Sequence, residues 1–294
     1  MRGWRYWLLA AGLTWAASQC AAREIVIGSI EENPAAEIAK IQPLADYLAS
    51  RLRAQGVGKV RIVVTDTIDE MAALFSQQRV DLLMDSPYPA LEVSLRSGAE
   101  VRLRRWKKGK SSYHGVLVAR SDTGIERLDQ LRGRLLAFEV PSSTSAFFLP
   151  MLALEAAGLA TRELASLASQ VAAGEVGYVF SLDDENTIAM LMRGRVHAAA
   201  LGSHEYEALR PAEKERIRVF HQSSPVPRQL VVLRKGLERA LGERICALLK
   251  GMADDPEAKP ALEALDRTTR FDEIPEEQNR TLDFLRATIK KQRR

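Results

Sequence analysis

Cysteine is nearly absent: 294 residues contain two, Cys20 and Cys246. Cys20 falls in an N-terminal segment that reads as a removable leader, so the mature chain has no pair from which to build an internal disulfide. Cys246 lies among Leu241, Ile245, Leu248, Leu249 and Met252, an apolar stripe at helical spacing, and reads as a core residue rather than a reactive thiol. Histidine is scarce too. The four present, His114, His197, His204 and His221, sit in no nucleophile elbow and no metal-spaced pair, which argues against hydrolytic or metal-dependent catalysis. His204 and Glu205 are the best metal candidates, yet adjacent residues on a helix do not face one another.

Long apolar runs are also missing. A bilayer-spanning helix needs about 20 apolar residues, and the run over residues 8–17 is too short. With Arg2 and Arg5 before it and small residues ending at Ala21 and Ala22 after it, the segment 1–22 reads as a secretory signal. The mature protein is then expected in the periplasm. Cleavage after Ala22 is the preferred reading, and lipidation at Cys20 the alternative, opposed by the bulk of Gln19 before it. Removing the leader takes two basic and no acidic side chains from totals of 42 and 38, which leaves a net charge of +2 and implies no nucleic-acid partner. The basic groups Arg102, Arg104, Arg105, Lys107, Lys108 and Lys110, and Lys290, Lys291, Arg293 and Arg294 at the end, read as solvated segments, the first of them able to steer an anion.

What is present is an alternation. Strand-like runs REIVIGS, VRIVVT and DLLMD are separated by amphipathic helices, a pattern that implies parallel strands with crossover helices and an α/β fold. After an extended stretch over residues 113–120 a second series starts, with RLLAFEV, a helix from Ser145, VGYVF, a helix from Asp184 and AAAL. The segment IRVFHQSSPVPRQLVVL then carries two prolines between β-rich runs, which suits a return to the first unit. The expected division is a leader over 1–22, a first lobe over 23–116, a second over 117–225, and a completion of the first over 226–294. Two crossovers, near 116–120 and 223–228, form the expected hinge.

In such sheets ligands bind outside the carboxyl ends of the strands. Those ends carry Glu31, Glu32 and Asn33; Asp85, Ser86, Pro87 and Tyr88; Ser142, Ser143, Thr144 and Ser145; and Ser181, Asp183, Asp184, Glu185 and Asn186. Hydroxyls, a ring and carboxylates are there, but no Lys or Arg, so recognition by neutral dipoles is expected. The stretch AFEVPSSTSAFFLP stands out, since a helix N-terminus holds roughly half a positive charge and several unpaired N–H groups. Two readings fit it: simple capping by Ser and Thr, or a small-oxyanion site.

The longer motifs IGSIEENPAAEIAKIQPLADYLASRL, QQRVDLLMDSPYPALEV, SSYHGVLVARSDTGIERLDQLRGRLLAFEVPSSTSAFFLPMLALEAAGL and SSPVP resemble the phosphate, phosphite and phosphonate family of periplasmic solute-binding proteins that serve ABC-type importers. The resemblance covers nearly the whole mature chain. It implies two α/β lobes of the type 2 periplasmic-binding fold, each a mixed, mostly parallel sheet flanked by helices, with a small oxyanion in the interlobe cleft. It further implies a membrane permease as partner, no cofactor, no metal, a monomer and no chemistry performed. Carried over by position, the anion-holding loop is Ser143, Thr144 and Ser145, and the aromatic contact before the crossover is Tyr113; Ser86 and Tyr88 are further ligand candidates.

Two departures stand out. Where phosphonate binders carry a histidine, at about Asp184, this chain reads FSLDDENTI, and a family tyrosine falls at Ala90 with Tyr88 two places earlier. A carboxylate about 4 Å from an anion opposes it by roughly 4 kcal/mol at an effective dielectric of 20. Either Asp184 accepts a hydrogen bond from a protonated ligand oxygen, or the ligand is not a phosphonate, or Asp183 and Asp184 simply cap a helix. A sensory role, with the closed form presented to a signalling receptor, is the alternative to transport.

Overall fold

The structure is a computed structural model, and it describes residues 23–293. The leader and Cys20 lie outside the described residues. In chain order the first unit contains β1 (Arg23–Ile30), α1 (Pro34–Arg51), β2 (Val57–Thr65), α2 (Ile68–Ser76), β3 (Leu82–Asp85), α3 (Pro87–Ser97) and β4 (Glu100–Lys107). A short strand, β5 (Ser112–Tyr113), leads to the second unit: β6 (Gly115–Arg120), β7 (Leu135–Phe138), α4 (Leu149–Ala156), β8 (Ala160–Glu163), β9 (Glu175–Phe180), α5 (Asp184–Met192), β10 (Ala198–Gly202), α6 (Ser203–Ala208), α7 (Pro211–Lys214) and β11 (Ile217–Gln222). The chain returns through β12 (Val226–Pro227) to β13 (Gln229–Leu233), α8 (Arg239–Gly251), α9 (Lys259–Ala264), β14 (Thr268–Asp272) and α10 (Glu276–Gln292).

Two six-stranded sheets result, ordered β14-β4-β13-β3-β1-β2 and β11-β6-β10-β7-β9-β8. In the first, β1 runs parallel to β2 and β3, while β13 is antiparallel to both β3 and β4. The centre of strand β1, residues 25–28, is an unbroken apolar run because both of its faces are covered. Ile25 and Ile27 pack with α1 and α8 on one side, and Val26 packs with residues of α2 and α3 on the other. Local signals start the helices. Asn33 accepts a hydrogen bond from the Ala36 N–H ahead of Pro34 at N1, and Thr67 does the same for Glu70.

The hinge lies earlier than the sequence pattern places it. Residues 116–120, expected in the crossover, belong to β6, which is flanked by β10 and β11 and buried over most of its length. The chain instead crosses at β5, where Tyr113 pairs with Val226 and Ser112 with Pro227 in a two-stranded ribbon. An apolar run such as GVLVAR has the same appearance in a connection and in a covered strand, and a two-residue ribbon has no periodicity to detect. The two crossing segments are tied further by the Arg228 N–H donating to the Ser111 carbonyl at 2.8 Å and by the Gly115 N–H donating to Ser223 Oγ at 3.0 Å.

The basic run in β4 is not a solvated segment. Arg104 and Arg105 are buried, 7% and 2% exposed, with Arg104 held bidentately by Asp272 at 2.8 Å and Arg105 donating to Asp266 at 3.2 Å. Cys246 is buried in the core beside α1, as its helical stripe suggests.

Candidate functional site

Strand β7 delivers the hydroxyl loop. Its last residue, Phe138, is fully buried, with the rings of Phe147 and Tyr178 both at 5.2 Å. The helix begins one residue earlier than expected and as a wider turn: Thr144–Phe148 is π-helical, with Phe148 N–H donating to the Ser143 carbonyl, before α4 continues. Ser143 is the cap, accepting from Ala146 N–H at 3.1 Å. The remaining N–H groups of a first turn have no helical acceptor. Thr144 and Ser145 face inward rather than outward, 1% and 5% exposed. Glycine on two neighbouring strands permits this. A Cβ at Gly115 would lie far inside contact distance of the Ser145 carbonyl oxygen, and one at Gly202 would lie 2.8 Å from Ser145 Oγ.

Thr144 joins the two lobes. Its Oγ1 accepts from the Tyr88 N–H and donates to Ser86 Oγ, each at 2.9 Å. Ser86 and Tyr88 are placed by the start of α3, where Pro87 at N1 sets the turn. The Tyr88 ring stacks on Phe148 at 4.2 Å and 13°. Ala90, the position of the family tyrosine, is fully buried under α3 and offers the cleft nothing. Tyr113 is buried, and its hydroxyl adjoins those of Thr144 and Ser86; burial pushes its pKa up to about 12, against the pull of Arg228, so it stays a neutral donor. Its ring rests on the Arg228 guanidinium, 4.4 Å from the centroid.

Carboxyl groups surround this loop. Asp183 is the cap of α5, accepting from the Asn186 backbone at 2.6 Å and from its side chain at 2.7 Å. Asp184 is freed from that task and meets Glu139, the residue after β7. Burial, then the neighbouring Glu139, Glu205 and Asp183, raise the Asp184 pKa to about 8. Burial raises Glu139 as well. The pair therefore holds a proton at neutral pH, with Asp184 donating to Glu139. Glu205 differs: burial works to raise its pKa, but the hydrogen bond and charge of His204, a backbone hydrogen bond and the charge of Arg228 together outweigh it and hold the carboxyl below its usual range.

Two expectations are corrected here. His204 Nε2 and Glu205 Oε1 do touch, because both lie at the start of α6 where the side chains are long enough to meet, and Arg228 Nη2 lies 2.6 Å from the same histidine nitrogen. Cations also reach the site after all, although none comes from the strand-end loops: Arg228 enters from the ribbon and Arg96 from α3. Glu139 and Arg228 escaped sequence reading, and Glu205 was read only as a metal candidate, because three separate elements supply them. The one signal was an acid, Glu139, closing an apolar strand. Glu205 Oε2 is buried without a hydrogen-bond partner.

The cleft itself is a cavity of ≈ 530 Å³ between the lobes, bordered by Glu31, Thr67, Tyr88 and Arg96 on one side and by Glu139, Ser142 and Leu182 on the other. Leu182 is 65% exposed on its rim with φ of 79°, a left-handed conformation that is costly for a leucine and tends to mark functional loops. Of the expected site residues, the structure brings Ser86, Tyr88, Tyr113 and Thr144 into one cluster and sets Ser143 and Asp184 against Glu139; of the seven, only Tyr88 borders this cavity itself. Among the described residues no group of three or more His, Cys, Asp or Glu side chains is placed to hold a metal ion, and no helix is long and apolar enough to cross a membrane.

The carboxyl pair has a measurable consequence. Folded Asp184 keeps its proton up to about pH 8, whereas the free group ionises near 3.8, so the folded protein binds more protons between those values. Stability contributed by the pair is full below about pH 4 and declines as pH rises towards 8. Asp184→Asn is expected to flatten that decline in urea titrations run from pH 4.5 to 8.5. An unchanged slope would remove the shared proton.

Residues 29–278 match the family described as ABC transporter, phosphonate, periplasmic substrate-binding protein. A Xanthomonas citri protein, XAC2383, solved with chloride, is 30% identical over 92% of this chain and 98% of its own, with a TM-score of 0.86; solved with ATP it matches at 29%, over the same shares and with the same score. PhnD1 from Prochlorococcus marinus, in complex with methylphosphonate, is 16% identical over 91% of this chain and 98% of its own, with a TM-score of 0.66, and shares the fold. The architecture is that of type 2 periplasmic-binding proteins. From the family match and the Xanthomonas likeness together, the chain belongs to the periplasmic substrate-binding proteins of phosphonate-type ABC transporters.

Proposed function

We propose that this protein captures a small phosphorus oxyanion, phosphonate, phosphite or phosphate, that carries at least one hydrogen-bond donor, and delivers it unaltered from the periplasm to a membrane permease. One observation carries the ligand class: the hydroxyl loop, an anion-type surface, is walled by carboxyl groups, one of which, Glu205, has a buried oxygen in need of a donor. A fully ionised dianion would meet that oxygen with repulsion. A protonated oxyanion, or a phosphonate bearing an ammonium group, satisfies both walls. In this reading Ser145 and the free N–H groups of the π turn hold the anion, Thr144 and Ser86 turn their hydroxyls to it, and Tyr113 donates. Ser143 orders the loop, Tyr88 closes it by stacking, and Asp184, its proton held on Glu139, adds no second charge to the wall. The protein acts as a monomer and does no chemistry.

The test is a thermal-shift panel of phosphite, phosphate, methylphosphonate, an aminoalkylphosphonate, sulfate, chloride and ATP, followed by calorimetry and by phosphorus NMR of recovered ligand. Ligand at a hundredfold over Kd adds about 2.7 kcal/mol. Phosphorus ligands are expected to lead the panel and to return intact. Preference for sulfate or ATP, or a product in the NMR spectrum, would overturn the reading. Affinity is further expected to fall as pH passes about 8, where Asp184 changes from neutral acid to repelling anion, and Asp184→Asn should remove that upper limb. Calorimetry from pH 6 to 9 measures it.

A further inference from the structure

The first lobe has a second cavity, of ≈ 90 Å³, which shares only Ile30 and Glu31 with the cleft. Arg105 and Lys107 of β4, Lys40 and Glu37 of α1, Asp85 at the end of β3, and Asp266 before β14 border it. Three cations converge on one carboxylate oxygen: Asp266 Oδ2 lies 3.1 Å from Lys107, 3.2 Å from Arg105 and 3.7 Å from Lys40. Burial alone would raise the Asp266 pKa, yet Lys107, Arg105 and Lys40 hold it down to about 2. Glu37 is engaged by Lys40 and by the Ser29 hydroxyl at 2.6 Å.

Asp85 does not add a full negative charge. Its carboxylate accepts from the Ser86 N–H at 2.6 Å, and burial pushes its pKa up to about 7. With Asp85 drawn towards its neutral form by burial, Arg105, Lys107 and Lys40 face the buried carboxylate of Glu37, the partly buried one of Asp266 and the exposed one of Glu31. Arg105 is 2% exposed, and its Nε, a buried donor, has no partner. A buried donor left unpaired is costly, and one small anion beside it relieves that cost.

We infer that this cavity is a binding site for a monovalent anion of halide size, held by Arg105 Nε–H and the Lys107 ammonium. Gln229 borders the same cavity with a buried Oε1 lacking a donor. Rotating that amide by half a turn presents its NH2 to the anion as a second donor. The volume exceeds the roughly 15 Å³ that one water requires, so a chloride with a water or two is accommodated. None of Arg105, Lys107 and Gln229 borders the cleft, and none of Ser143, Thr144 and Ser145 borders this cavity, which makes the anion site separable from the hydroxyl loop.

The experiment is thermal unfolding of the full chain in sodium bromide, sodium chloride or sodium gluconate at equal ionic strength. A saturable rise in Tm is expected with bromide and chloride and not with gluconate. It is expected to persist in the Thr144→Ala/Ser145→Ala variant and to weaken at least tenfold in Lys107→Met. Bromide anomalous diffraction from crystals of the unaltered protein, which needs no variant, should place a peak beside Arg105. Equal response to all three salts, a response retained in Lys107→Met, or bromide found at the hydroxyl loop and absent from this cavity would overturn the inference.

Discussion

Replacing Thr144 and Ser145 together by alanine is expected to weaken oxyanion binding by two to four orders of magnitude. Each hydrogen bond to a charged group contributes about 1.5 to 3 kcal/mol, and two side-chain hydroxyls are removed while the backbone N–H groups of the π turn stay in place. Thr144 carries a second burden. Its Oγ1 is the atom at which Tyr88 and Ser86 of the first lobe meet the second lobe, so the substitution also removes the polar contacts that hold the closed form together. Ligand-induced compaction in small-angle scattering should therefore disappear along with the calorimetric signal. Unchanged affinity with a lowered Tm would reduce both residues to packing and capping roles.

Gly115→Ala is expected to destabilise the protein by about 3 kcal/mol or more and to displace the hydroxyl loop, since overpacking against fixed backbone has few routes of relief. The cause is steric. The added Cβ collides with the Ser145 carbonyl and lies 3.2 Å from Pro150 Cδ. Gly124→Ala is the matched control: φ there is +70° with nothing within 4 Å, so only the conformational cost of about 1 kcal/mol applies. Urea unfolding of the two variants compares them. Equal losses would mean that β6 yields to the new methyl group and that the loop does not depend on it.

The parts of the molecule that sequence makes legible are those where one physical cause acts locally. REIVIGS, DLLMD and RLLAFEV are apolar at their centres, IVIG, LLM and LLAF, because helices cover both faces of their sheets, and Asn33, Thr67, Ser143 and Asp183 cap helices because a terminus always leaves N–H groups unpaired. The site resists such reading because it is assembled from distance. Glu139 follows one strand, Glu205 opens a helix more than sixty positions later, and Arg228 belongs to the returning ribbon, so no window of sequence holds their mutual effect on Asp184. The direction of Ser145 is likewise decided elsewhere, by the bare backbone of Gly115 and Gly202. The charge of β4 misleads for a similar reason, since the partners that allow Arg104 and Arg105 to be buried, Asp272 and Asp266, arrive at the far end of the chain.

The same topology dictates an order of assembly. All six strands of the second sheet lie between residues 115 and 222, so that lobe can complete itself from a continuous piece of chain. The first lobe cannot, because β13, a central strand lying between β3 and β4, is reached only at residue 229. Until then Leu82–Asp85 and Glu100–Lys107 present open edges of the kind that invite pairing with other chains. A nascent polypeptide would thus carry the first half split open while the whole of the second is made, and the hazard of aggregation, like the late closure of long-range contacts that slows folding, falls on the lobe that begins first.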